Sequence, residues 1–179
     1  MANSTVVGTR TRGRERFIHD PIVHSRIRPP RGPGRDAAHV IAVDVGHGQL
    51  DESLRRDPRV MAIEGLNTKD IGAEPVSEPF DLIVCDLSFI SLKKALPAAL
   101  SLAPSGADLI ALIKPQFEVG KGRLGKGGVV KEEGLHEEVC VDIAEWLSAL
   151  PGWTVTGITP SPIEGGDGNR EFLIAAHHD

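Results

Sequence analysis

From residue 39 onward, short apolar runs alternate with stretches of helical character, and this alternation restricts the fold more than any other feature. The runs are "VIAVDV" at 40–45, "VMAIE" at 60–64, "FDLIVCDL" at 80–87 and "DLIALIK" at 108–114. They are apolar nearly throughout, with no strict alternation, as strands buried on both faces must be, and they are short for buried helices. "SLKKALPAALSL" at 91–102 predicts a helix with Pro97 inside it. "EEGLHEEVCVDIAEWLSAL" at 132–150 predicts an amphipathic helix, with Gly152 as a break soon after it. "WTVTGITP" at 153–160 and "REFLIAAHH" at 170–178 predict two closing strands. The Gly-rich loop "IEGGDGN" at 163–169 joins them, so this end reads as an antiparallel pair.

Strands separated by helices require a parallel sheet with crossover connections, so the expected fold is an α/β sandwich of Rossmann type, with no internal repeat. A chain of 179 residues with 40 % apolar side chains is enough for one packed domain. No apolar run approaches the roughly 20 residues that span a bilayer, and the first residues lack the charged-then-apolar order of a secretory signal. The expectation is therefore a cytoplasmic protein with no membrane association. Cys85 and Cys140 stand far apart with no CxxC partner, and the seven histidines show no ligand spacing. Neither a disulfide framework nor a metal site is expected.

Charge is divided unevenly. Residues 1–39 hold eight arginines, no lysine and three acids, a net of +5, whereas residues 40–179 hold a net of −10. The leading segment, "GTRTRGRERF" and then "RIRPPRGPGR", is rich in Arg, Pro and Gly with little periodicity. It reads as a disordered or loosely attached arm over 1–38, ahead of a folded domain over 39–179. Such an arm is either a solvated tail or a segment that touches RNA phosphates.

In parallel sheets of this kind ligands bind beyond the carboxyl ends of the strands, so polar residues where apolar runs stop are site candidates. Asp44 ends the first run, Asp86 the third and Lys114 the fourth, and Glu171 opens the last. Any one of these marks at least the point where solvent begins; their joint placement points to a site. The turn "DVGHGQL" at 44–50 has two readings. It is either the glycine-rich first turn of a nucleotide or S-adenosylmethionine site, with Glu64 as the ribose acid, or the end of a second strand, with Asp44 itself gripping the ribose hydroxyls.

Taken together, "AVDVGHGQLDESLRRDPRV", "DLIVCDLSFISL", "LIKPQFEVGKGRLGKGGVV" and "TPSPIEGGDGNREFL" resemble the TlyA-type methyltransferases, a branch of the FtsJ-like 2'-O-ribose methyltransferases of ribosomal RNA. The resemblance covers roughly residues 40–176, with the motifs in the family's order and spacing. It implies a Rossmann-like methyltransferase fold, S-adenosyl-L-methionine as cofactor, and ribosomal RNA or a ribosomal subunit as partner. It also implies a Lys-Asp-Lys-Glu tetrad whose last three members map onto Asp86, Lys114 and Glu171. Asp44 would then receive the cofactor's ribose hydroxyls, Asn67 in "GLNTKD" would lie near the adenine edge, and Asp86 would serve both cofactor and chemistry. Lys114 would take, or help take, the proton of the attacking hydroxyl, which requires the neutral amine. Burial and a second cation favour a neutral lysine in general; carboxylates oppose it. Some members of the family carry a haemolysin label, but no segment here has the length or pattern that membrane insertion needs.

The chain departs from the family pattern at its start. The family's S4-type RNA-binding module, the tetrad's first lysine and the glycine-rich turn that holds the methionine end of the cofactor have no counterpart before residue 40, so the fold is expected to be incomplete in its N-terminal part. The change to Arg-Pro-Gly composition before Ala37 points to a truncated or frame-shifted gene, or to one with a misplaced start. Either "STVVGTR" or "FIHDPIVHSRI" would have to fill the place of the family's central strand. Three functions follow: an rRNA 2'-O-methyltransferase, a catalytically dead remnant or RNA-binding accessory, and an unrelated nucleotide-binding domain that uses "DVGHG" as its first turn. The third requires the run at 40–45 to lie directly beside the run at 80–87.

Overall fold

The computed structural model describes residues 4–11, 37–73, 76, 80–165 and 168–179. One seven-stranded sheet runs through them. Its strands are β1 (Ser4–Thr11), β2 (Ala37–Asp44), β3 (Val60–Glu64), β4 (Leu82–Asp86), β5 (Asp108–Ile113), β6 (Trp153–Pro160) and β7 (Phe172–His178), in the spatial order 3-2-1-4-5-7-6. β2 pairs with β3 and β4 with β5 in parallel, across connections that carry the single-turn helix α1 (Glu52–Arg55) and the longer α2 (Leu92–Ser101). After β5 come the one-turn helix α3 (Pro115–Glu118) and the long α4 (Glu133–Ser148). β7 runs antiparallel to both β5 and β6, the closing pair that the loop at 163–169 predicts.

The apolar runs become strands because alternate residues bury against helices. Ile41 and Val43 of β2, Ile83 and Cys85 of β4, Leu109, Ala111 and Ile113 of β5, and Ile174 and Ala176 of β7 share one cluster with Leu92, Ala95, Leu96 and Ala99 of α2 and Val139, Ile143 and Leu147 of α4. Full burial of one such large aliphatic side chain contributes roughly 1.5–3 kcal/mol. The intervening residues Val40, Val60 and Val84 form a smaller cluster on the other face of the sheet. α2 runs through Pro97, whose side chain is exposed, and its start is held by Ser91, whose hydroxyl accepts the Lys93 N–H at 3.2 Å. Cys85 is buried, and burial pushes the Cys140 thiol up to about 11, so neither is a ready nucleophile.

One expectation gives way. Residues 4–11, read from composition as part of a loose arm, form β1 at the centre of the sheet. β1 is antiparallel to both neighbours, with Val6 opposite Ala42 on one side and Val84 on the other. Without it, β2 and β4 would each leave a row of backbone N–H and C=O groups unpaired beside an apolar core. The β-branched run "STVV" suits that place, and the arginines that follow it hide its character when composition is averaged over 38 residues. Residues 12–36, the rest of the predicted arm, lie outside the described residues, and β2 begins at Ala37, slightly ahead of the predicted domain start. Because β1 separates β2 from β4, the reading of "DVGHG" as the first turn of an unrelated nucleotide-binding domain fails.

Candidate active site

The carboxyl ends of the parallel strands bring the predicted polar residues to one edge of the sheet. β4 ends at Asp86, and β5 ends at Ile113, immediately before Lys114. Ile113 pairs with Phe172 at the start of β7, so the next residues outward on the two strands are Lys114 and Glu171. Lys114 Nζ lies 2.5 Å from Asp86 Oδ1 and 3.9 Å from Glu171 Oε1, and it donates to Ser88 Oγ at 3.3 Å. Lys114 is 6 % exposed and Glu171 3 %, while the Asp86 side chain is open on one side at 25 %. The lysine at the end of a buried strand thus stands in an acidic recess whose open side is Asp86. A buried charge of this kind persists only when it is paired.

Local sequence holds these groups rigid. Pro115 at the first position of α3 ends the strand directly after Lys114, since its missing N–H is no loss there. Glu171 sits against Gly165: a β-carbon at position 165 would lie 2.2 Å from Glu171 Oε1, so only glycine leaves room for the carboxylate. Glu118 of α3 reaches back to accept the Leu92 N–H at 2.8 Å and so caps α2. Burial pushes the Glu118 carboxyl above its usual range, against the hydrogen bonds from Ser91 and Leu92 that favour its charged form. Its contact ties the "PQFE" turn to the "DLSFIS" loop. That loop carries Phe89, which has a left-handed φ of +66°, is 66 % exposed and stands 5.1 Å from the Phe117 ring at a tilt of 47°. A bulky residue in that backbone region is rare and marks stored strain. Sequence reasoning passed over Phe89; its only signal was an aromatic residue in a loop directly after a candidate site acid.

On the other side of β1, Asp44 closes β2. It is 9 % exposed, and its Oδ1 accepts the Gly46 N–H at 2.7 Å. The turn after β3 is fastened to the turn after β2 by Leu66 N–H to Asp44 O and Gly65 N–H to Gly46 O, both 3.3 Å. Glu64 accepts from Gly48 N at 2.9 Å and from Arg55 Nη2 at 2.5 Å, and the Arg55 hydrogen bond holds its carboxyl below the usual range. Its role here is to fix the 46–48 turn. Asn67, two residues past that hinge, caps a 3-10 turn (Thr68–Asp70) by accepting the Lys69 N–H at 3.2 Å.

The residues present suit an S-adenosylmethionine molecule at one end only. A buried carboxylate at the tip of β2 has the chemistry to accept a ribose diol, with Asn67 nearby on the adjoining turn. The methionine end normally rests on backbone N–H groups of the turn that leaves the central strand at this edge. β1 runs the other way: Ser4 stands opposite Asp44 and Asp86 here, and Thr11 is at the far edge opposite Ala37. β1 therefore ends at the opposite edge of the sheet, and among the described residues no turn leaves the central strand at this edge. Among the described residues no group of three or more His, Cys, Asp or Glu is placed to hold a metal ion, and no helix is long and apolar enough to cross a membrane.

Comparison with known proteins gives the family and the fold. Residues 26–178 match the family model of the FtsJ-like methyltransferases. The 16S/23S rRNA (cytidine-2'-O)-methyltransferase TlyA of Mycobacterium tuberculosis is 46 % identical over 140 residues, which are 78 % of this chain and 52 % of that protein. A haemolysin-labelled protein of Lactococcus lactis has a solved structure that superposes with a TM-score of 0.77 at 34 % identity, over 81 % of this chain and 69 % of that one. An S-adenosylmethionine-dependent methyltransferase of Listeria monocytogenes, at 16 % identity and a TM-score of 0.54 over 81 % of this chain and 82 % of its own, shares the fold. The chain spans about half the length of the curated relatives it matches.

Proposed function

The chain is a member of the FtsJ-like methyltransferase family, and from that premise we propose that its sheet edge is the catalytic half of an S-adenosylmethionine-dependent rRNA 2'-O-methyltransferase site. The observation that carries this reading is Lys114 held between Asp86 and Glu171 at the carboxyl ends of β4 and β5. Asp86, on the open side, and Glu171, on the closed side, aim Nζ at the place where a ribose 2'-hydroxyl would enter. Lys114 is the group that handles the hydroxyl proton as the oxygen attacks. Asp44 and Asn67 would hold the adenosine part of the cofactor, which when bound supplies an electrophilic methyl group. Phe89, exposed and set against the half-buried Phe117 ring, offers an aromatic face on which the base of the target nucleotide can stack. The acidic domain repels phosphates, so the arginines from Arg10 to Arg35 are the chain's main source of positive charge for ribosomal RNA.

A second reading, a catalytically dead remnant that keeps the recess as structure, is favoured by one observation: the reversed direction of β1, whose carboxyl end lies at the opposite edge of the sheet. A tritiated-methyl assay on ribosomal RNA separates the two. Incorporation by the parent chain that disappears in Lys114→Ala supports the active site; no incorporation at saturating cofactor and RNA leaves the remnant.

A further inference from the structure

Behind Glu171 lies a buried polar chain that neither the cofactor nor the tetrad accounts for. His136 on α4 is 5 % exposed, and its Nε2–H donates to Val130 O at 3.0 Å. Val130 N–H in turn donates to Asn169 Oδ1 at 3.2 Å, with Asn169 4 % exposed. Val130 is thus clamped at both backbone groups by side chains from two different parts of the fold. Asn169 O accepts the Gly165 N–H at 2.8 Å, which closes the turn that carries Gly165 onto the Glu171 carboxylate. The imidazole also stands 5.8 Å from the ring of Phe172, next to Glu171 in sequence. His136 Nδ1 is buried and makes no hydrogen bond among the described residues, so the ring gives up one polar partner to make this contact.

We propose that His136, acting with Asn169 through Val130, is a positioning residue for Glu171: it locks the turn whose glycine seats that carboxylate against Lys114. The proposal rests on the reading of Lys114 and Glu171 as reacting groups, but its geometric half stands apart from any activity. A purely apolar residue at 136 would fill the volume and leave Val130 O unbonded. The choice of histidine is explained by the donor at Nε2. Displacing a reacting group by as little as an ångström is enough to slow a reaction about a hundredfold.

The test begins without cofactor or RNA. Amide exchange at Val130 and Gly165, and the 13C resonance of the Glu171 carboxylate, are followed in the parent chain, His136→Leu, His136→Gln and Asn169→Ala. Gly165→Ala is the reference for a displaced Glu171. His136→Leu and Asn169→Ala are expected to speed Gly165 exchange at least tenfold and to move the Glu171 resonance toward the Gly165→Ala position. His136→Gln, whose amide N–H reaches about as far as Nε2, is expected to restore both. If folded His136→Leu leaves both signals where they were, or if His136→Gln is as disturbed as His136→Leu, the positioning role is refuted; should His136→Leu not fold, Asn169→Ala decides on the same terms. Where the parent chain transfers methyl groups, His136→Leu should lower kcat about tenfold or more at unchanged KM, and an unchanged kcat overturns the proposal. A parent chain that transfers none sinks the functional reading alone, and the exchange and resonance data still decide the role of His136.

Discussion

Lys114 makes the sharpest claim on stability at the scale of single residues. Its ammonium faces Asp86 and Glu171 in a recess where Glu171 is almost wholly buried, so Lys114→Ala leaves carboxylates without their counter-ion. The expected loss is about 3 kcal/mol, read as a lowered urea midpoint at unchanged slope. Adding Glu171→Gln to Lys114→Ala should recover part of that loss; strict additivity of the two changes would contradict the pairing. Glu118 gives a pH-dependent prediction. Burial raises its carboxyl above the unfolded value, so the fold is favoured while the group is protonated, and that contribution is lost as pH rises through the folded pKa. Glu118→Gln keeps an acceptor for Leu92 N–H and removes the charge. Its stability relative to the parent should therefore improve between about pH 4 and about pH 7. A difference that stays constant or shrinks over that range would refute the assignment. Asp57, held at about 2 by Arg59, and Glu64, lowered by Arg55, act in the opposite sense, which is why the comparison is made between variant and parent at each pH. Asp44, Asp86, Lys114 and Glu171 were legible as site candidates because a charge directly at the end of a buried run is costly unless something uses it. Phe89 and His136 were not, since an aromatic loop residue and a lone histidine in a helix have many ordinary explanations.

Two elements hold their place through their neighbours. α2 carries Pro97 within its helical span, where the ring removes one backbone hydrogen bond and crowds the preceding turn. The helix survives because Leu92, Ala95, Leu96, Ala99 and Leu100 are buried and because Ser91 and Glu118 satisfy its first N–H groups. Pro97 is exposed, so Pro97→Ala should raise stability by about 1–3 kcal/mol, visible as a higher melting temperature; an unchanged or lower one would mean that the ring packs usefully. β1 is the second case. It runs antiparallel to both β2 and β4, which flank it, and its bond ladder to β2 is interrupted between Val7 and Thr9 and again between Thr9 and Thr11. A proline at Val6, opposite Ala42 and Val84, would break the ladder on a central strand. Val6→Pro is expected to cost about 3 kcal/mol or to prevent folding, whereas a melting curve like the parent's would show that β1 does not hold the sheet together.

For the molecule as a whole, the direction of β1 bears on the cofactor. Asp44 is the proposed ribose anchor, but β1 ends at the opposite edge, so no described turn of the central strand brings donors to the methionine end. If the described residues are all that meet the cofactor, several backbone donors at about 1 kcal/mol each are lost and S-adenosylmethionine is expected to bind with high micromolar affinity or weaker; calorimetry showing low-micromolar binding would mean that other residues rebuild the cradle. By itself the sequence determined most of the secondary structure: the runs at 60–64 and 108–114, the helix at 132–150 and the closing antiparallel pair are local patterns of burial, and periodicity reports burial directly. Its motifs also identified the family, and the ends of its apolar runs marked Asp86, Lys114 and Glu171 as site candidates. Only the tertiary structure decided what completes the centre of the sheet, which way that strand runs, and that His136, Asn169 and Gly165 stand behind Glu171. The physical reason is that strand order, direction and the approach of a backbone to a distant carboxylate are pairings between residues far apart in the chain. No local pattern of apolar and polar residues carries them.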